Sequence, residues 1–339
     1  GAVEVPVGIT DFTASEVKFS FGATGGGNTD AVEWTVPMRA ARPTEIVATA
    51  GSTESTATVS IELPADILRE TGGLDVSVSA SALVGIGTSV DYVVDYPHGC
   101  MEQTTSRMRV AMAALRVREK AGIGTPVAEL QSIVTAGLSR IATFRTAGGG
   151  FAYWPGDYRS DPLATAYAAE ALAEARAAGH TFDISLLEGA QVVLREVLAG
   201  KHLPHWYDEE TAAAIRARAA LALARSGKPD AGYTQRIASE FNKLPNFAKA
   251  QTLETLARNN ARDPRIAGIL TSLEADLHIE STSASLVDKD RSRWRVMWWG
   301  EDVASIEFIR ALLVAKPTHP LLSRLVSHVV KARKQGRWS

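Results

Sequence analysis

The chain has 339 residues, 45% of them hydrophobic and 22% charged, enough for two or three domains with cores of their own. Its 36 basic and 38 acidic residues leave a net charge of −2, which argues against nucleic acid as a main partner. No apolar run approaches the ~18 residues needed to span a bilayer, no signal peptide begins the chain, and Gly1 is not a natural start. The sequence therefore reads as a piece of a longer protein.

Residues 1–81 read as β structure. Val17, Phe19 and Phe21 alternate with polar residues, as do Val32, Trp34, Val36 and Met38. The pattern returns at Ala57, Val59, Ile61 and Leu63, and again at Leu74, Val76, Val78 and Ala80. A period of two with polar partners predicts strands covered on one face. Gly25 to Asn28 reads as a hairpin-type loop, and Gly72-Gly73 as a turn into the strand that starts at Leu74. Ala41-Arg42-Pro43 divides this region into two β units, residues 1–42 and 43–81.

Residues 82–339 read as helical, with apolar positions at spacings of three and four from Val84 onward. Thr165 to Ala178 and Thr211 to Arg225 are Ala-rich and suit closely packed helices. Turns with aromatic residues recur at Gly148-Gly149-Gly150-Phe151-Ala152-Tyr153-Trp154, His205-Trp206-Tyr207, Trp298-Trp299-Gly300 and Gly336-Arg337-Trp338. The first three lead through an acidic residue into a helix, a degenerate repeat of helical hairpins. The spacing predicts an α/α toroid, incomplete at its C-terminal end because the same turn elsewhere introduces a further helix. The basic run from Lys331 to Arg337 suits a helix C-terminus.

Cys100 is the only cysteine, so an intramolecular disulfide is excluded. It stands where an irregular segment gives way to a helix, three residues before Gln103. That spacing places the two on one helix face, one turn apart. Attack of the thiol on the glutamine side-chain carbonyl expels ammonia and leaves an internal thioester, a stored acylating group. A helix N-terminus favours the developing thiolate when the sulfur later leaves. The plainer reading of a lone cysteine is a small buried apolar residue. Glu102 stays out of the bond, either capping amides near Gly99 or lying in solvent. Met101 reads as packing.

Tyr96-Pro97-His98-Gly99-Cys100-Met101-Glu102-Gln103-Thr104-Thr105-Ser106-Arg107 resembles the thioester motif of the α2-macroglobulin and complement family. It is most similar to the bacterial α2-macroglobulins, in which a hydrophobic residue separates Cys from Glu-Gln. The resemblance implies a toroidal thioester domain inserted into a CUB-like β domain, whose first half is residues 43–81. Residues 1–42 then resemble the end of a macroglobulin-like sandwich. It further implies a protease inhibitor that captures proteases covalently through their lysines, with a bait segment and further domains elsewhere in the same protein. It implies a periplasmic or cell-envelope location, and no cofactor. By the same resemblance Tyr96 shields the bond from water. Complement members use a histidine to pass the acyl group to hydroxyls, and His205 falls near the corresponding turn, with His202 next in line. Otherwise His205 is an exposed turn residue, and capture proceeds by direct attack of amines.

Phe151, Tyr153 and Trp154 either line this site or pin their turn, and Trp294, Trp298 and Trp299 read as packing. His202 and His205 offer two metal ligands without a third. Three other function classes compete with the thioester. A toroid enzyme of the cyclase, prenyltransferase or glycosidase kind needs an acidic cluster, for which Asp208-Glu209-Glu210 is the nearest candidate. A cysteine hydrolase using Cys100 and a distant histidine leaves Gln103 without a role. A thioester-less binding module leaves the retained Cys100 and Gln103 pair unexplained.

Overall fold

The computed structural model describes residues 15–38, 86–94, 99–121, 123–288 and 302–332, with isolated positions 56, 58, 60–62, 73, 74, 76, 78, 294 and 300. The chain divides into two compact units, residues 1–49 and residues 50–339.

In the first unit, β1 (Glu16–Gly25) pairs antiparallel with β2 (Asn28–Pro37), in register from Glu16 opposite Pro37 to Gly25 opposite Asn28. The connecting Gly26 and Gly27 have φ of 58° and 83°, the positive pair that a type I′ hairpin turn requires and that glycine adopts without strain. Alternation works as read: Phe19 faces Trp34 and Phe21 faces Val32 across the ladder, while Lys18 pairs with Glu33 at 2.6 Å on the other face. Yet Trp34 and Val32 remain 69% and 61% exposed.

The expected fold, β sandwich pieces followed by an α/α toroid, is overturned. The protein is mostly helical, and its described strands form two small two-stranded sheets. Alternation determines which side chains share a face of a strand, but not whether a second sheet lies against that face. The hairpin has no second sheet layer among the described residues. Ile61, Leu74, Val76 and Val78, expected in strands, are exposed and outside any strand. Ala57, Val59, Leu63 and Ala80 lie outside the described residues, as do Trp298, Trp299 and the Gly336-Arg337-Trp338 turn. The second sheet, β3 (Leu277–Ile279) with β4 (Ala284–Leu286), falls inside the region read as wholly helical.

The second unit is built on α1 (Ile86–Val94), α2 (Met101–Ala121), α3 (Val127–Ala142), α4 (Pro162–Ala177), α5 (Ser185–Leu198) and α6 (Glu209–Arg225). It continues through α7 (Ala231–Ser239), α8 (Asn246–Asn259), α9 (Arg265–Ala275), α10 (Val303–Ala315) and α11 (Leu322–Lys331). Helices α2, α4, α6, α8 and α10 form an inner row, each packed on the next. Their partners α3, α5, α7, α9 and α11 lie behind them. Among the described residues α2 and α10 share no substantial packing.

Composition explains the row. Ala164, Ala166, Ala168, Ala169, Ala171 and Ala175 of α4 are all buried, so neighbouring helices approach closely on every side. Such a helix has a weak amphipathic stripe because nearly all of it is interior. Two apolar cores result. One, beneath α1 to α6, contains Met108, Phe144, Phe151 and Leu172; the other, beneath α6 to α11, contains Phe247, Trp294 and Phe308. Asp161 and Asp208 start α4 and α6 by accepting from Ala164 N at 2.7 Å and Thr211 N at 2.8 Å.

Candidate functional site

Cys100 is the residue before the first turn of α2, and its own conformation is set by the two ends of that turn. Its carbonyl accepts from Thr104 N at 3.0 Å, the first bond of the helix. Its backbone N–H donates to Gln103 Oε1 at 3.4 Å. A glutamine at the third helical position reaching back to the capping residue is the geometry of a capping box. The same reach brings the Gln103 amide over Cys100. Cys100 is 1% exposed, whereas Gln103 is half-buried, so the pair has one dry and one accessible member.

Met101 is fully buried, as read. Glu102 is half-buried. It accepts from Ser106 Oγ at 2.6 Å and lines a cleft shared with α4, α6, α8 and α10. Ser106 in turn bonds the Tyr167 hydroxyl at 2.9 Å, and the Arg109 guanidinium stacks over the Tyr167 ring at 4.8 Å. This run of contacts ties the helix carrying Cys100 to the middle of the row.

The turn from Gly148 to Trp154 abuts the same helix start. Phe151 is wholly buried and its N–H donates to Thr165 Oγ1 of α4 at 3.0 Å. Ala152 N bonds Phe144 O at 2.9 Å, and Asp161 N bonds Phe151 O at 2.8 Å. On the far side, Gly189 of α5 packs so closely that a Cβ there would sit 2.6 Å from the Gly149 carbonyl. Held from three sides, the turn presents the Tyr153 carbonyl to Met101 N at 3.0 Å. Burial, the neighbouring Cys100 and the nearby carboxylates of Glu102 and Asp161 push the Tyr153 phenol up to about 12. The three aromatics thus divide the roles left open by the sequence. Phe151 pins the turn, the Tyr153 backbone holds the start of α2, and Trp154 stays half exposed.

Tyr96 lies outside the described residues. His205 sits exposed on the segment between α5 and α6, its ring edge-on to Trp206 at 4.9 Å. Among the described residues no hydrogen bond joins it to Cys100 or Gln103. His202, at φ 62°, bonds Glu196 through Nε2 at 2.7 Å. No group of three metal-ligating side chains occurs among the described residues. Of the acidic run, Asp208 is spent as a helix cap. Glu209 and Glu210 line a separate cleft of about 480 Å3 together with Arg216, Arg236 and Lys243.

Sequence reasoning passed over a buried charge network inside the row. Glu170 of α4, with its side chain fully buried, receives Arg218 at 3.0 Å and Arg225 at 3.0 Å from α6, with Arg109 of α2 at 3.6 Å. Arg225 also pairs with Glu254 of α8, and Arg218 with Glu307 of α10 at 2.8 Å. Burial alone would raise the Glu170 carboxyl, but Arg218, Arg225, Arg109 and Arg310 together hold it well below the usual carboxylate range. The available signal was the charged residues Glu170, Arg218 and Arg225 interrupting Ala-rich helices. A cavity of about 260 Å3 opens beside the network, lined by Glu102, Tyr167, Gln251 and Arg310 among others.

No protein-family model matches the chain. It is 25% identical over 335 residues to the α2-macroglobulin of Xylella fastidiosa strain Temecula1, covering 93% of this chain and 19% of that protein. It superposes on Salmonella α2-macroglobulin reacted with methylamine with a TM-score of 0.66 at 20% identity, over 96% of this chain and 21% of that one. Trypsin-activated α2-macroglobulin from Escherichia coli matches at a TM-score of 0.57 and 19% identity, over 72% of this chain and 16% of that one. The similarity to bacterial α2-macroglobulins read from the Cys100 motif therefore extends over most of the chain. The chain spans about a fifth of the length of the curated relative. No helix among the described residues is long and apolar enough to cross a membrane.

Proposed function

We propose that Cys100 and Gln103 form an internal thioester, and that this chain is the thioester-bearing piece of a bacterial α2-macroglobulin-like protease inhibitor. The observation that carries this reading is the contact of Gln103 Oε1 with the Cys100 backbone at 3.4 Å, at the dry start of a helix. It places the carboxamide carbon one turn from the thiol. Attack by sulfur forms the C–S bond, breaks the C–N bond and releases ammonia. A lysine amine of a captured protease then attacks the same carbon, the C–S bond breaks, and the protease is left on an isopeptide bond to residue 103. The group is used once, so the protein is an inhibitor rather than an enzyme. Salmonella α2-macroglobulin has been studied after reaction with methylamine and the E. coli protein after activation by trypsin, which favours amines and proteases as the partners here. By the same likeness, Tyr96 covers the bond and the protein works in the periplasm or cell envelope. The exposure of His205 favours direct attack by amines over histidine-mediated transfer.

The test is uptake of isotopically labelled methylamine, located by peptide mapping, in the native protein and in Cys100→Ala and Gln103→Ala. Label at residue 103 in the native chain and in neither variant is the expected result. An unlabelled, intact Gln103 carboxamide in natively purified protein would overturn the reading. It would leave Gln103 as an ordinary helix cap.

A further inference from the structure

We propose that Arg140 is a positioning residue for acyl transfer at Gln103: its guanidinium grips the peptide group whose N–H holds the oxygen of the reacting carbonyl. The inference rests on the thioester reading of Cys100 and Gln103. It starts from one peptide unit. The Gly99 carbonyl and the Cys100 N–H belong to the same planar group, so fixing one end fixes the other. Arg140 Nη2 donates to Gly99 O at 3.4 Å, and Cys100 N donates to Gln103 Oε1 at 3.4 Å. The unit therefore links a cation on α3 to the carboxamide on α2. Two neighbouring amides at the start of α2 are committed elsewhere, Met101 N to the Tyr153 carbonyl and Thr104 N to the Cys100 carbonyl.

The fold holds the guanidinium in place. Arg140 lies in the last turn of α3, and its own carbonyl accepts from Thr143 N at 3.0 Å and Thr143 Oγ1 at 2.8 Å. Its guanidinium lies 5.1 Å over the ring of Phe144, which is 1% exposed. Stacking on a fixed ring restricts an otherwise exposed side chain. A Cβ at Gly99 would stand 3.7 Å from Arg140 Nη2, so the guanidinium packs directly against the backbone of residue 99.

The chemistry gives this link its use. The amine lone pair forms a C–N bond to the Gln103 carbonyl carbon, which becomes tetrahedral, and the oxygen takes up negative charge. The C–S electron pair then leaves on Cys100 Sγ as the carbonyl re-forms, and the surplus amine proton ends on the sulfur. A donor already aimed at the oxygen strengthens as that charge develops, which lowers the barrier. The cationic bond at the other end polarises the peptide group and makes its N–H a better donor. A contact of 3.4 Å in the resting protein can tighten as the charge appears.

The experiment compares the native protein with Arg140→Met and Arg140→Lys. Methylamine uptake is followed by intact mass. The thioester carbonyl stretch is read by infrared spectroscopy, with the glutamine side-chain carbonyl isotopically labelled; a hydrogen bond to that carbonyl lowers its frequency. Arg140→Met should react more slowly by about tenfold, less than the roughly 10²–10³-fold lost with a whole oxyanion donor, and its band should move to higher frequency. Arg140→Lys keeps a cationic donor and should lie between the two in both readouts. Arg140 is exposed, so the thermal midpoint should change little. A native rate and an unshifted band in Arg140→Met would overturn the role of Arg140 while leaving the thioester reading intact, whatever the midpoint does. If Arg140→Met assembles no thioester, the lysine form decides: recovery of assembly and uptake supports the role, and failure to recover overturns it. A native protein with no thioester band and no methylamine uptake would remove the thioester reading, and the role of Arg140 with it.

Discussion

Replacing Glu170 by glutamine is the substitution that should unsettle this protein most for the fewest atoms changed. The carboxylate is fully buried and faces Arg218 and Arg225 at 3.0 Å each, with Arg109 at 3.6 Å. Glutamine keeps the volume but removes the charge and turns one acceptor into a donor that points at guanidinium groups. Breaking one partner of a buried ion pair costs about 3–5 kcal/mol, because the remaining charges stay buried without compensation. At roughly 2–4 °C per kcal/mol for a unit of this size, the thermal midpoint should fall by roughly 6–20 °C. The control is Glu174→Gln. That carboxylate is 33% exposed and pairs with Arg109 at the edge of the network, so solvent screening keeps its cost below about 1 kcal/mol. Calorimetry on the two variants reads the difference directly. Equal, small losses would refute the claim that the arginines of α2 and α6 are held by a buried charge on α4.

Acid should act through the same residues. Burial would raise the carboxyls of Glu170 and Glu254, but their arginine partners hold both below the usual 4.5 in the folded state. A depressed folded value means stability that is complete above the unfolded carboxylate range and is lost as pH falls below it. The midpoint of the native protein should therefore drop more steeply from pH 5 to pH 3 than that of Glu170→Gln; parallel curves would contradict this. Gly189→Ala places a methyl 2.6 Å from the Gly149 carbonyl, so it should cost about 1–3 kcal/mol and, by displacing the turn that carries Tyr153, slow methylamine uptake. Stability and uptake both at native values would count against the clamp. His205→Ala should leave the uptake rate within about twofold of native, since the ring is exposed and lies edge-on to its neighbour Trp206. A tenfold fall would restore His205 to the chemistry.

What the sequence disclosed, and what it hid, follows from the range of each interaction. The Gly25 to Asn28 loop was legible because a turn with two positive φ values is written in adjacent glycines. The Ala-rich runs from Thr165 and Thr211 marked α4 and α6, which start a few residues earlier, where Asp161 and Asp208 cap amides three residues away. The spacing of Cys100 and Gln103 is equally local, and the structure places the two within one turn. The sandwich was over-read because alternation at Ile61, Leu74, Val76 and Val78 says nothing about a covering sheet, and these residues are exposed. The β3–β4 hairpin was missed because each strand is only three residues long, too short for a period to show. The Glu170 network was missed for the opposite reason. Its paired members are separated by 29 to 89 positions, and only the stacking of α2, α4, α6, α8 and α10 brings them together. The bond from Met101 N to the Tyr153 carbonyl is also long-range.

The most direct test of the central claim is the intact mass of freshly purified native protein, taken before and after methylamine with iodoacetamide labelling alongside. The account predicts a mass one ammonia below the sequence value, gain of one methylamine, and release of one alkylatable thiol at Cys100. A mass at the sequence value, with Cys100 alkylated from the outset and an intact Gln103 carboxamide, would contradict it.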